Sequence, residues 1–310
     1  MFHASLLLYS LSGSSGLLDP LAPAEQARVV AQYQMCQKVL REPLPELDND
    51  TLTLSTPRMI LDLGCGPHGQ WACDVAFDYP SCHIFGVSTL PLYIEQAEHT
   101  RRLQELSCAR FILMDFEREL CFPDRFFDVI NGRFLCSSLP HAYWQHLLRE
   151  CLRVLRPGGM LRLTECSDAT CTSSACEALS QYVHDAAQRS VILSHVPKPR
   201  YGRTAAFTPQ ASSWQEMLLE WLPRLGYQAI SSTTHMLDFS AGSLYQQSMF
   251  RNAQSFFCQL APRLCQSLDL TPAHLEALCE RMHAEMLDPT FTGQWTLQVV
   301  RAHKGGHTWW

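Results

Sequence analysis

No stretch of this chain is apolar for long enough to cross a membrane. The earliest apolar run, around Leu6, Leu7, Leu8 and Tyr9, falls far short of the ~20 residues a span requires. No lysine or arginine precedes it, the first being Arg28, so the charged start of a secretion signal is missing too. These absences predict a cytoplasmic protein. A surplus of positive charge is also lacking: the net charge is −6 and no basic run occurs, which leaves no electrostatic footprint for nucleic acid. The 14 cysteines are scattered, with no C-x-x-C pair. Cys36, Cys151, Cys258 and Cys265 fall inside expected helices or strands, where a free thiol acts as a small apolar group. Reduced thiols are therefore expected rather than a disulfide framework. None of the 13 histidines forms an H-x-x-x-H pair with a nearby acid, so no metal site is expected. Repeats and low-complexity segments are absent.

What is present is the composition of a soluble globular protein: 310 residues, 46% hydrophobic and 17% charged. That length suits one large domain or one domain with insertions. Ala24 to Arg41 reads as a helix with Val29, Tyr33, Cys36 and Leu40 on one face, broken by the proline- and acid-rich stretch Pro43 to Asp50. Five short apolar runs then alternate with helical ones. The strands are Met59–Leu63 (MILDL), His83–Val87, Arg110–Met114, Phe127–Asn131 (FDVIN) and Met160–Glu165 (MLRLTE). Pro157-Gly158-Gly159 is expected to form the turn into the fifth strand. This alternation predicts a parallel sheet with right-handed crossovers. Later, a helix from Trp214 leads through Gly226 to a strand from Tyr227 to Phe239, two amphipathic helices follow, and Gln294 to Ala302 closes the core as a strand.

The expected fold class is α/β, a Rossmann-like seven-stranded sheet, mostly parallel with the last strand antiparallel, plus a helical N-terminal segment and helical caps. The expected division is 1–56 as a lid segment, 57–166 as the nucleotide-binding core, 167–213 as a cap insertion, 214–240 as core, 241–290 as a second cap, 291–304 as the final core strand and 305–310 as a tail.

Gly64, Gly66 and Gly69 in LGCGPHG form G-x-G-x-x-G directly after the first strand. Glycines there let the chain turn sharply and bring backbone N–H groups against a ligand at a helix N-terminus. The second strand, however, ends in IFGVST, with neutral Ser88 and Thr89 where an acid would hold the two ribose hydroxyls of an adenosyl group. No arginine stands beside Ser88 to read a 2′-phosphate.

ILDLGCG, MDF, FPDRFFDVI and RVLRPGG stand in the order of the class I S-adenosylmethionine-dependent methyltransferases, which the stretch Met59 to Glu165 resembles. The resemblance implies S-adenosyl-L-methionine as cofactor. It places Asp62, Gly64, Cys65 and Gly66 at its methionine end, Ser88 and Thr89 on the ribose side, and Asp115 and Phe116 at the adenine. Asn131, Gly132, Arg133 and Phe134 would line the methionine and reaction side. GVSTLPLY is also similar to the GVTLSPEQ form of a C-methylating branch that includes cyclopropane-fatty-acid synthases and sterol and prenyl-diphosphate C-methyltransferases.

Methyl transfer from a sulfonium needs in-line positioning and a dry pocket. Alkene C-methylation would add a carbocation to stabilise. Glu165, at the end of the fifth strand where ligands collect in open α/β sheets, is a catalytic candidate, with a capping or solvated acid as the alternative. His141 and Tyr245 are further catalytic candidates. Arg200, Tyr201 and Arg203, with Lys198, could clamp an anionic substrate, and Phe250 could face an apolar one. The reading is methyl transfer to a small, largely apolar metabolite in specialised metabolism, with C-methylation of an alkene as one form of it. Its rivals are cyclisation on the same fold and a non-catalytic cofactor-binding protein. The expected partner is a small-molecule substrate, and a homodimer is compatible with the sequence.

Overall fold

The computed structural model describes residues 2–4, 18–40, 43–45, 58–116, 118–137, 139, 141–166, 169–193 and 211–306. The described chain divides into two compact units. One is formed by residues 29–165, 217–235 and 297–310, the other by 1–28, 166–216 and 236–296.

The first unit carries the nucleotide-fold core. Its parallel strands are β2 (Met59–Leu63), β3 (His83–Ser88), β4 (Ala109–Leu113), β5 (Phe127–Arg133) and β6 (Leu155–Cys166). β2 pairs with both β3 and β5, β3 with β4, and β5 with β6, all in parallel. The crossovers are α2 (Gln70–Asp78), α3 (Pro91–Leu103) and α4 (His141–Val154). Strands this apolar form because both faces of a parallel sheet are covered: Ile60, Leu61, Ile84, Val129 and Ile130 are all fully buried. The chain order runs outward in both directions from β2, so the sheet has its switch point at the C-terminal end of β2, where ligands collect in open α/β sheets.

Two strands extend the parallel set. β8 (Tyr227–Asp238) pairs with β9 (Gly293–Lys304), and β9 runs antiparallel beside β6. Lys304 Nζ reaches the carbonyl of Leu155 at the start of β6, 2.8 Å away. Seven strands were expected, but among the described residues the sheet has nine. The extra pair is β1 (Phe2–Ala4) and β7 (Ala169–Cys171), where β7 pairs antiparallel with β1 and with the first residues of β9. Strands of three residues carry no readable period, which is why the sequence does not announce them.

The Pro157-Gly158-Gly159 stretch is also not a separate turn. It lies within β6, beside an irregularity in the β5 pairing between Phe127 and Val129. Gly158 takes φ 79°, and a Cβ on Gly159 would stand 2.9 Å from the Arg156 carbonyl. The glycines therefore serve a bulge that bends the strand entry.

The second unit is built on α5 (Ser174–Leu193), α7 (Gln246–Leu268) and α8 (Pro272–Leu287), which pack on one another. Met249, Phe256, Phe257, Leu260, Leu278 and Met282 form its core. Glu285 of α8 caps α5 by accepting from the Ala175 N–H and from the Ser173 and Ser174 hydroxyls. Within the same unit, the Arg28 guanidinium is fully buried, forked onto Glu25 at 2.6 and 2.7 Å and bonded to Asn252 at 2.9 Å. No helix of the described residues is long and apolar enough to cross a membrane.

Candidate functional site

The site is built at the end of β2. Beyond Leu63 the chain makes a turn in which Gly64, Gly66 and Gly69 all take positive φ, at 68°, 66° and 57°. Gly66 combines φ 66° with ψ −175°, a region that is essentially glycine-only. The three glycines meet different surroundings. A Cβ on Gly69 would lie 2.4 Å from the Phe111 ring and 2.9 Å from the Ala97 methyl, so that glycine lets the turn pack onto α3 and β4. A Cβ on Gly64 would touch Leu135 at 3.0 Å, with Phe116 at 3.9 Å. At Gly66 nothing lies within 4 Å, so its bare face opens onto free space.

Behind the turn a polar ladder crosses three strands. Asp62, Asn131 and Arg162 stand in register on β2, β5 and β6, each at most 2% exposed. The Asn131 amide donates to Asp62 Oδ1 at 2.8 Å, and Arg162 donates to the Asn131 carbonyl oxygen at 3.0 Å. Asp62 Oδ2 is buried and without a partner. Burial pushes the Asp62 carboxyl up to about 6, against the pull of Arg133, Asn131 and Arg162. Asn131, expected to line the methionine side, thus spends its amide on aligning Asp62.

Arg133, the last residue of β5, lies over the Tyr33 ring at 4.5 Å and within 6.0 Å of the Trp71 ring. Its Nε and Nη1 are buried without a hydrogen-bond acceptor. Tyr33 donates a short hydrogen bond to Asp74, and Trp71 Nε1 donates to the Pro43 carbonyl at 2.8 Å. Tyr33, Trp71, Asp74 and Arg162 were missed by sequence reasoning. Tyr33 was visible only as one apolar-face position of a helix, and Arg162 only as the charged residue within MLRLTE.

Ser88 ends β3, is buried, and its hydroxyl accepts from the Leu90 N–H at 3.1 Å. That bond closes a local turn just ahead of α3, whereas Thr89 is exposed. Ser88→Ala should lower stability by about 1 kcal/mol, because that N–H loses its acceptor. Ser88→Asp keeps an acceptor two residues before Leu90 and should bind the adenosyl cofactor as well as the native chain or modestly better. Calorimetry and melting on both variants check this, and a tenfold loss of affinity in Ser88→Asp would show that the native contacts leave no room for a carboxylate.

Asp115 is half exposed and paired with Arg118 at 3.1 Å, while Phe116 is buried. Cys65 is buried, its N–H bonded to the Val87 carbonyl at 2.9 Å and its thiol pushed up by burial. A Cβ on Gly132 would stand 2.7 Å from Leu135. Glu165 is 2% exposed and accepts from the Cys136 N–H at 2.9 Å. Burial pushes its carboxyl up to about 8, with the Cys136 and Leu135 N–H groups pulling the other way. His141 opens α4. Two other named residues belong to the helical unit: Tyr245 stands at the N-terminus of α7, and Phe250 is stacked on His283 with centroids 4.1 Å apart. Lys198, Arg200, Tyr201 and Arg203 lie outside the described residues. Among the described residues no group of histidine, cysteine, aspartate or glutamate side chains could hold a metal ion.

A glycine turn at the switch point, with strands leaving β2 in both directions and an antiparallel last strand, defines the class I methyltransferase fold. Residues 60–159 match the family described as Methyltransferase domain, and this segment is an S-adenosylmethionine-dependent methyltransferase domain of that class. The chain is 31% identical over 157 residues to the secondary metabolism regulator laeA of Aspergillus niger, covering 48% of this chain and 39% of that protein. It is 30% identical over 138 residues to the methyltransferase str3 of Strobilurus tenacellus, covering 44% of each. The chain thus spans well under two thirds of the length of these relatives. Among solved structures it is similar to the [4+2]-cyclase SpnF, with 19% identity, a TM-score of 0.46, and 89% of this chain and 93% of that one covered.

The cofactor of the class, S-adenosylmethionine, has an adenosyl body and a methionine end that carries both charges of an amino acid. The residues at the turn fit such a group. Gly66 offers a cradle that a side chain would fill, and unpartnered buried atoms of both signs stand at Asp62 and Arg133.

Proposed function

We propose that this chain transfers the methyl group of S-adenosylmethionine to a small, largely apolar metabolite of specialised metabolism. The observation that carries the proposal is the coincidence, within the matched methyltransferase domain, of the open face of Gly66 with the unpartnered Asp62 oxygen behind it. The cofactor supplies an electrophilic methyl on a sulfonium centre. The chain's own residues have less to do: hold, orient and exclude water. The Gly64–Gly69 turn brings backbone groups close, and the Asp62–Asn131–Arg162 ladder fixes one carboxylate without letting water reach it. Leu135 and Phe116 give the wall beside Gly64 an apolar surface. An apolar wall favours an apolar acceptor, and the relatives named for secondary metabolism favour that setting. C-methylation of an alkene is the finer form of the reading, supported by the neutral Ser88-Thr89 pair. The test is incubation of the purified chain with methyl-labelled S-adenosylmethionine and an extract of small apolar metabolites. Label should enter the organic-soluble fraction, and its chemical position identifies the atom methylated. Cofactor binding without any transfer would reject the reading.

A second reading follows from the names of the laeA relatives, a secondary metabolism regulator in Aspergillus niger and a protein-methionine methyltransferase in Emericella nidulans. Under it the label would enter protein and not the metabolite fraction of the same incubation.

A further inference from the structure

A buried guanidinium with unsatisfied N–H groups is costly, and native structures leave few such groups without a purpose. Arg133 is one. Its Nε and Nη1 are shielded from water and have no acceptor, although the side chain is fixed by the Tyr33 and Trp71 rings. The Tyr33 ring is itself held by the hydroxyl's bond to Asp74, and the Trp71 ring by its bond to the Pro43 carbonyl. The guanidinium is thus pre-oriented by groups that take up none of those two N–H groups.

The matching orphan is negative. Asp62 has one oxygen engaged by Asn131 and the other, Oδ2, buried and unpartnered. Arg133 is near enough to favour the Asp62 charge, yet no ion pair closes between them. Two opposite charges, each with idle hydrogen-bonding atoms, sit near the C-terminal ends of adjacent strands, and β2 runs from there into the glycine turn. Such a pair suits a small group that carries its own anion and cation side by side, as the α-carboxylate and α-ammonium of an amino acid do. A planar guanidinium fork recognises a carboxylate with two parallel bonds, which a point charge does not.

We propose that Arg133, braced by Tyr33 and Trp71, is the residue that recognises the α-carboxylate of the cofactor's methionine end, and so discriminates S-adenosylmethionine and S-adenosylhomocysteine from adenosyl thioethers that lack an amino-acid end. This rests on the methyltransferase reading above. Asp62 Oδ2 is the counterpart for the ammonium.

The experiment measures binding, not turnover. Calorimetry is run with S-adenosylhomocysteine and with 5′-methylthioadenosine, which keeps the nucleoside and sulfur but has no carboxylate. Binding of S-adenosylhomocysteine by the native chain establishes the cofactor site on which the inference rests, and its absence would overturn both the inference and the methyltransferase reading. Given that binding, R133M should weaken S-adenosylhomocysteine about 10- to 100-fold, the loss expected for a charged hydrogen bond, and leave 5′-methylthioadenosine within about twofold. R133K, which keeps the charge and loses the fork, should fall between native and R133M for S-adenosylhomocysteine only. Equal weakening of both ligands would assign Arg133 to holding the fold, and undiminished S-adenosylhomocysteine binding in R133M would remove it from the site. Either result overturns the inference, and thermal melting of each variant shows whether the protein measured is folded.

Discussion

Gly66→Val should abolish binding of S-adenosylmethionine, a loss of at least about 10²-fold, in a protein that remains folded. Two physical effects act together. The backbone at Gly66, φ 66° and ψ −175°, is open to glycine alone, and an L residue forced into it carries about 1–3 kcal/mol of strain. An added Cβ would meet nothing within 4 Å, so the side chain would start out into the free space beside the turn. Valine is the severe case, being branched at Cβ. Gly66→Ala shares the strain with less bulk and should fall between. Gly69→Ala provides the contrast, since its methyl would overlap the Phe111 ring at 2.4 Å and Ala97 at 2.9 Å on top of a positive φ. That variant should lose stability, by about 1–3 kcal/mol from overpacking alone. Melting temperature and cofactor affinity, measured on all three, should therefore separate. Gly66 variants lose affinity far beyond their loss of stability, and Gly69→Ala loses stability first. Native-like affinity in folded Gly66→Val would take this turn out of the binding site.

The contrast between these glycines shows what the sequence could and could not convey. LGCGPHG after MILDL announces a sharp turn at a strand end, because glycine is the residue that takes positive φ without strain, and its place at the head of an alternating chain makes it a candidate nucleotide site. Which glycine faces open space and which faces the core depends on Phe111 and Ala97, distant in sequence and brought there by β4 and α3. The strands of the core were legible for a similar reason: buried parallel strands are short, continuous apolar runs. Arg162 was not legible, since a charge inside MLRLTE reads as the solvent-facing half of an alternating strand. It is 1% exposed, made tolerable by Asn131 and Thr164, and the pairing register that aligns them spans distant segments. Tyr33 likewise looked like one more core position of an N-terminal helix until Arg133 was seen above it. Ser88 was the clearest departure from a nucleotide-fold pattern, and its structural use, accepting from the Leu90 N–H just ahead of α3, is a local side-chain-to-backbone bond of the kind serine forms in turns.

Glu165→Gln should remove a pH dependence of stability and slow turnover. The native carboxyl is pushed up to about 8 by burial, from an ordinary value near 4.5, so the folded protein holds a proton there that the unfolded chain releases. Its contribution is therefore fully present below about pH 4.5 and is lost as pH rises through about 8, at no more than about 1.4 kcal/mol per pH unit. Asp62, pushed up to about 6, works with the same sign but over a lower window. Between pH 6 and 8 the slope belongs chiefly to Glu165. The native chain should lose about 1–3 kcal/mol across that interval in urea titrations, and Glu165→Gln should be nearly flat. The substitution also has a local consequence. Glu165 accepts from the N–H groups of Leu135 and Cys136, and Leu135 is the side chain packed against the Gly64 and Gly132 backbone. The neutral carboxyl can turn its hydroxyl hydrogen away and accept at both oxygens, whereas Gln offers one acceptor oxygen and turns its amide NH2 toward the other donor, so the wall beside the glycine turn loosens. If Glu165 also accepts a proton during the reaction, it does so in the ionised form that prevails above about pH 8, and turnover measured there should fall about 10²–10⁴-fold in the Gln variant, the range for a positioned acid–base group, with cofactor affinity little changed. A fall no larger than the loss of cofactor affinity, together with a flattened stability profile, would instead make Glu165 the residue that positions Leu135. The proton acceptor would then have to be sought elsewhere, with His141 tested next.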